Sequence, residues 1–381
     1  MPLPESRLPQ VGTTIFTVMS KMAMDHRAIN LSQGFPDFEV DEGLKELVAK
    51  AVRDGKNQYA PMPGLPELRM RLAEKYRSSH GADMSWESEI TITSGATEAL
   101  FCTIGALVRP GDEVILFAPA YDSYEPAINI FGGIAKYATL HSPDFAPNWD
   151  EVERLITKRT RAILINTPHN PCGSLLGEAD IDRLEALALK HDLFIISDEV
   201  YEHIIFDGAA HHSPLSRASL RDRVAAVFSF GKTFHATGWK LGYVLAASTI
   251  SAEIRKIHQF VVFCSPMPFQ HAIADYISNQ TSYNGLAAFY QRKRDFFLKQ
   301  LEGSRWSFSA AGGSYFQLLD YSRISQLDDR AFAELLTKEH KVASIPLSPF
   351  YPNGTKSNLL RFCFAKKEET LYEACQILKK L

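Results

Sequence analysis

Short apolar runs alternate with stretches of helical spacing along the middle of the chain. Glu89-Ile-Thr-Ile-Thr93 predicts a strand, and Thr97 to Val108 predicts a helix. Glu113-Val-Ile-Leu-Phe117 is another short apolar run. Ala162-Ile-Leu-Ile-Asn166 predicts a strand, Glu178 to His191 a helix, and Phe194-Ile-Ile-Ser197 a strand. Ala225-Ala-Val-Phe-Ser229 and Gly242-Tyr-Val-Leu-Ala246 predict two more. Strands without polar alternation are buried on both faces, and helical crossovers make neighbouring strands parallel. The expected fold is therefore α/β, a mostly parallel central sheet with helices on both faces.

The flanks have a different texture. Ser32-Gln-Gly-Phe-Pro-Asp37 is turn-rich, and a helix is expected over Glu42 to Asp54, with Leu44, Leu47, Val48 and Ala51 on one face. Tyr59-Ala-Pro-Met-Pro-Gly-Leu-Pro66 reads as a loop broken by its prolines. Beyond about residue 285, a long helix over Gly285 to Leu301 precedes two strands, Ser314-Tyr-Phe-Gln-Leu-Leu319 and Leu359-Leu-Arg-Phe-Cys-Phe364. A terminal helix, Glu368 to Lys380, closes what is expected to be a smaller α+β domain. The expected division is an N-terminal arm that also contributes to the small domain (1–44), a large domain (45–285) and a small C-terminal domain (286–381).

Composition narrows the class. The chain has 381 residues and a formal net charge of −3, with both signs interspersed. That balance offers no footprint for nucleic acid or an anionic membrane. Five cysteines, Cys102, Cys172, Cys264, Cys363 and Cys375, are odd in number and lack any C-x-x-C, which argues against a disulfide framework or a zinc site. Neither an apolar leader at Met1-Pro-Leu-Pro nor a run of about eighteen apolar residues is present, so a reducing cytoplasm is the expected compartment.

In open α/β sheets, ligands gather beyond the carboxyl ends of the strands. Those ends deliver Ser94-Gly-Ala-Thr-Glu98, Thr167-Pro-His-Asn-Pro-Cys-Gly173, Asp198-Glu-Val-Tyr201 and Ser229-Phe-Gly-Lys232, with Gly238-Trp-Lys-Leu-Gly242 just beyond. Taken singly, each has a plain reading. Lys232 could be a surface or C-cap lysine, Asp198 a helix N-cap, Asn170-Pro-Cys-Gly a turn, and Tyr121 core. Taken together, they match the needs of pyridoxal 5′-phosphate. Its aldehyde needs a primary amine, which Lys232 supplies. Its ring nitrogen needs a carboxylate, Asp198, and its phenolic oxygen needs donors, Asn170 and Tyr201. Its phosphate suits the N–H groups of Ala96 and Thr97 with Ser229 and Lys240, and its flat ring suits Tyr121. The histidines lack such a context; His211-His212 falls in an expected loop without a ligand cluster, and no metal is expected.

These segments resemble the class I and II aminotransferases of pyridoxal-phosphate fold type I. Ser197-Asp-Glu-Val-Tyr201, Asn170-Pro-Cys-Gly173 and Ser229-Phe-Gly-Lys-Thr-Phe-His-Ala-Thr-Gly-Trp-Lys240 carry the likeness, in family order and over nearly the whole chain. The subgroup it is most similar to is that of the kynurenine, glutamine and methionine aminotransferases, on Leu31-Ser-Gln-Gly-Phe-Pro-Asp-Phe38, Asn57-Gln-Tyr-Ala60 and Ala118-Pro-Ala-Tyr-Asp-Ser-Tyr-Glu-Pro126. The resemblance implies that Arg361 binds the substrate α-carboxylate, assisted by Gly34 and Asn170. It implies a side-chain pocket lined by Phe16, Tyr59 and Phe263, and a homodimer in which Tyr59 reaches the partner's cofactor phosphate and Phe263 the partner's pocket. Cys264 stands where kynurenine-type relatives carry histidine, a departure that weakens a kynurenine specificity.

The implied chemistry is ping-pong amino transfer from a neutral sulfur-containing or aromatic amino acid to a 2-oxo acid. Lys232 acts as anchor and then as proton shuttle, with Asp198 and Tyr201 completing the catalytic set. A cysteine-conjugate β-lyase would use the same groups, and kynurenine or glutamine preference is the other alternative. A non-catalytic regulator would need an added DNA-binding segment, for which no basic stretch is present.

Overall fold

In the computed structural model, strands form where the apolar runs lie and pair into three sheets; residues 5–81, 83–278, 281–352 and 354–381 are described. Met1–Pro4, where the expected N-terminal arm begins, lie outside the described residues. In chain order the strands are β1 (Ile29–Asn30), β2 (Ile90–Thr93), β3 (Glu113–Ala118), β4 (Ile134–Thr139), β5 (Thr160–Asn166) and β6 (Phe194–Asp198). They continue with β7 (Val224–Ser229), β8 (Gly242–Ala246), β9 (Phe316–Asp320), β10 (Val342–Ala343), β11 (Ile345–Pro346) and β12 (Leu359–Cys363).

The main sheet has seven strands in the order β2-β8-β7-β6-β5-β3-β4. Pairing is parallel from β7 through β6, β5 and β3 to β4, while β8 runs antiparallel to both β7 and β2. This is the mostly parallel sheet of a fold type I enzyme, with one strand reversed. β2, β3 and β8 are buried along their whole length, as a sheet covered on both faces requires. The edge strand β4 is half-exposed and mixed in polarity, so no apolar run marks Ile134-Ala-Lys-Tyr-Ala-Thr139 in the sequence.

Fourteen helices surround the sheets among the described residues. From the N-terminus come α1 (Ile15–Asp25), α2 (Glu42–Arg53), α3 (Pro66–His80), α4 (Ala96–Leu107), α5 (Tyr124–Ile130), α6 (Trp149–Leu155) and α7 (Glu178–His191). They are followed by α8 (Phe230–Thr233), α9 (Ser248–Val261), α10 (Met267–Ile277), α11 (Thr281–Asn284), α12 (Leu286–Leu301), α13 (Asp329–Lys338) and α14 (Glu368–Leu378). Pro66 corrects one expectation: it does not merely end a loop but opens α3 at its first position, where a missing N–H costs nothing, and Gly81 closes that helix with φ 67°. The mixed N-terminal segment also contains α1, started by the Thr14 hydroxyl accepting from the N–H of Thr17.

The small antiparallel sheet has the order β11-β12-β9 and carries Arg361 on its central strand, opposite Ile345 on one side and Leu318 on the other. β1 pairs in parallel with β10, and α1 packs on α13, so residues near the N-terminus join the C-terminal part.

Candidate active site

The cavity begins where β2 ends. Gly95, at φ 81°, turns the chain from strand into α4. A Cβ at Gly95 would lie 3.2 Å from Lys240 Nζ, so the lysine stands directly over the helix start. Because β8 is antiparallel, the residues that precede it arrive at the same sheet edge that the other strands leave. Gly242 is packed so closely that a Cβ there would come within 2.9 Å of the Ala96 backbone nitrogen. Ala96, Thr97, Ser229 and Lys240 all line one cavity of about 430 Å³. Free N–H groups at a helix N-terminus, a hydroxyl and a cation make that end suited to a phosphate.

β5 and β6 place Asn166 beside Asp198. Asn166 Nδ2 donates to the Asp198 carbonyl at 2.9 Å, and its Oδ1 accepts from Asn170 N at 2.7 Å, fixing the turn after β5. Asp198 is buried. Its carboxylate accepts from the Tyr124 hydroxyl at 2.6 Å and from Val200 N at 3.3 Å. Burial pushes this carboxyl up to about 6, against the hydrogen bonds from Tyr124 and Val200 and the Lys232 charge, which pull it down.

Lys232, on the short helix α8, donates from Nζ to the Tyr315 hydroxyl at 2.8 Å and to the Gly34 carbonyl at 3.3 Å. Burial lowers its amine to about 8, so an appreciable neutral fraction exists near neutral pH. The Tyr201 ring meets Tyr315 edge-on at 5.0 Å. Tyr121 packs edge-on against Tyr124 at 5.6 Å, and burial pushes its hydroxyl up to about 12.

Arg361 is 1 % exposed. Nη1 donates to Asn170 Oδ1 at 2.8 Å and Nη2 to the Ser32 carbonyl at 2.9 Å, while the guanidinium lies 3.9 Å from the Phe316 ring centre. Its Nε is buried without a partner. Burial brings it down to about 10, leaving it charged at neutral pH. An unsatisfied buried N–H on a fixed cation is a waiting donor for a planar anion.

A family description, aminotransferase class I and II, matches residues 26–378. The chain belongs to the class I and II aminotransferases. It is similar to a methionine aminotransferase of Escherichia coli, 50% identical over 380 residues that cover 100% of this chain and 98% of that protein. It is also similar to a probable N-succinyldiaminopimelate aminotransferase of Mycobacterium tuberculosis, 34% identical over 99% of this chain and 98% of that one. Among solved structures, YbdL of Escherichia coli, for which a methionine aminotransferase function was identified, superposes with a TM-score of 0.98 at 49% identity, covering 100% of both chains.

The aminotransferase gathers most of the expected residues into the cavity: Phe16, Gly34, Ala96, Thr97, Tyr121, Asn170, Asp198, Tyr201, Ser229, Lys232, Lys240 and Arg361. Tyr59 and Phe263 are not there. They meet edge-on at 5.4 Å on the surface, 81 % and 42 % exposed. Three functional neighbours escaped sequence reasoning. Tyr124 lies in the same phrase from which Tyr121 alone was taken, whereas Tyr315 and Phe316 read only as small-domain strand. His211, expected in a loop without partners, pairs with buried Glu199 at 2.6 Å. One group, Glu98, Cys102 and His258, has ligand-type atoms within 4.8 Å of one another. There Glu98 Oε1 lies 2.8 Å from Cys102 Sγ and 2.9 Å from His258 Nδ1, so the three satisfy each other.

Proposed function

We propose that this aminotransferase holds pyridoxal 5′-phosphate and moves the amino group of a neutral sulfur-containing or aromatic amino acid, methionine-like by preference, to a 2-oxo acid. The observation that carries the reading is a single cavity bounded by a depressed-pKa lysine, a buried aspartate, a helix N-terminus and a buried arginine with a free N–H. The space over Gly95 and the Lys240 amine beside it fit the phosphate. When bound, the cofactor supplies an aldehyde carbon for amines and an aromatic ring that takes up carbanion charge.

The chain's own groups then have definite roles. Ala96, Thr97, Ser229 and Lys240 hold the phosphate, with Tyr59 of a second copy. Asp198, fixed by Tyr124, keeps the ring nitrogen protonated; Asn170 and Tyr201 donate to the phenolic oxygen; Tyr121 lies against the ring. Lys232 supplies the anchoring amine. Once displaced by substrate, that amine would accept the proton from the substrate Cα and return it to the cofactor's aldehyde carbon, on the far side of the nitrogen from Cα, as its lowered pKa allows. Arg361 pairs with the α-carboxylate, and Gly34 and Asn170 border it. Phe16 of the same copy and Phe263 of the other form an aromatic wall suited to a thioether.

The methionine preference is supported by the 50% identical relative. A homodimer is supported by the exposed pair Tyr59 and Phe263. A cytoplasmic location is supported by four buried cysteines left as thiols, Cys102, Cys172, Cys363 and Cys375; no helix among the described residues is long and apolar enough to cross a membrane.

Lys232→Ala tests the core of the reading. Turnover should fall by on the order of 10³-fold or more, the scale of a lost general base that is also the anchor. Borohydride should trap the cofactor on wild type but not on the variant. A variant with intact turnover overturns the assignment. A donor screen with glyoxylate as acceptor should rank methionine above kynurenine and glutamine, and release of pyruvate plus a thiol from cysteine conjugates would instead indicate β-lyase chemistry.

A further inference from the structure

We infer that Asp122 is a specificity residue that rejects amino and oxo acids with acidic side chains. The inference rests on the transamination reading above. Thr14, Tyr121 and Asp122 line both the cavity and an adjoining groove of about 720 Å³ bordered by Ile15 and Tyr351, so Asp122 stands on the rim between them. Its carboxylate is half-buried and feels the charge of Arg361, yet it forms no ion pair among the described residues. It therefore projects negative charge into a partly desolvated passage, where charges are poorly screened.

An acidic amino acid brings two carboxylates. Arg361 takes one. The other cations lining the cavity are committed: Lys240 stands over the start of α4, and the Lys232 amine sits between Tyr315 and Gly34. Among the described residues no further cation lines the cavity to take a second carboxylate; Arg330 borders only the adjoining groove, and Asp122 meets the carboxylate with like charge. Neutral side chains escape that penalty. The discrimination is thus by charge rather than by shape, a repulsive element added to an attractive pocket.

Glutamine and glutamate isolate this effect, because they differ in charge at nearly constant shape. The measurement is competitive inhibition of methionine transamination by each, using the holoenzyme at fixed pH and ionic strength. Glutamate should bind wild type at least about tenfold more weakly than glutamine, and Asp122→Asn should shrink that ratio by about tenfold. A merely structural role would move both constants together. Asp122→Ser should shrink the same ratio, so a folding defect in one variant does not decide the outcome. An unchanged ratio overturns the inference, including the case where neither compound competes in any of the proteins. If wild type transaminates no amino acid at all, the functional reading itself fails and takes the inference with it.

Discussion

Asp198 and Lys232 feel burial in opposite senses, and both consequences are measurable. In the cofactor-free protein the Asp198 carboxyl is pushed up to about 6 from an ordinary 3.8. Between those values the folded state binds more protons than the unfolded state, so Asp198 costs stability as pH rises through the window. Removing the carboxylate with Asp198→Asn removes that slope. The stability of wild type relative to the variant should drop by about 2 kcal/mol between pH 4 and pH 7, read from urea unfolding. Parallel pH curves would show that the carboxyl is not perturbed. Lys232 acts with the opposite sign at high pH: with its amine near 8 against an ordinary 10.5, stability is gained as pH rises across that interval. Both residues are legible in the sequence, because each stands in a polar phrase directly after an apolar strand. Their partners are not. Tyr124 reaches Asp198 only because β3, β5 and β6 lie side by side, and Tyr315 reaches Lys232 from a different sheet.

The contact between β8 and the start of α4 holds the anion-binding end together. Gly242 pairs with both Thr93 and Ser229, and a Cβ there would come 2.6 Å from the Phe228 carbonyl and 2.9 Å from Ala96 N. Backbone atoms on both sides cannot swing aside as a side chain could. Gly242→Ala should therefore destabilise the fold by about 2–3 kcal/mol, in the range of overpacked sites. It should also weaken retention of pyridoxal phosphate, measured as cofactor released on dialysis. Gly238→Ala, with nothing within 4 Å of its added Cβ, serves as the control and should do neither. Apolar runs make these strands visible in the sequence but not their direction, so the reversal of β8 that brings Lys240 to the site is invisible there. The same limit hides β4, a half-exposed edge without a continuous apolar run, and α3, whose opening Pro66 looks locally like a loop breaker.

At the scale of the whole molecule, the aromatic patch around Tyr59 remains unpaired in a single chain. Phe260 is 85 % exposed, and Val261, Val262 and Phe263 at the end of α9 are each more than a third exposed. A contiguous apolar surface of this kind marks a protein contact, and a second copy is the occupant proposed above. If each site takes Lys232 from one chain and Tyr59 with Phe263 from the other, two defective chains can repair each other. A Lys232→Ala chain still offers its aromatics, and a chain carrying Tyr59→Ala and Phe263→Ala still offers its lysine. Each mixed dimer then contains one site with every group intact and one lacking both. Each parent alone should be strongly impaired. After unfolding and refolding an equal mixture, half the dimers are mixed and half of their sites are whole, so about a quarter of wild-type activity should return. Recovery no greater than the mean of the two parents would place the aromatics outside the partner's site. Recovery near a quarter would explain why two residues that resemble the family's pocket positions lie on the surface of this chain.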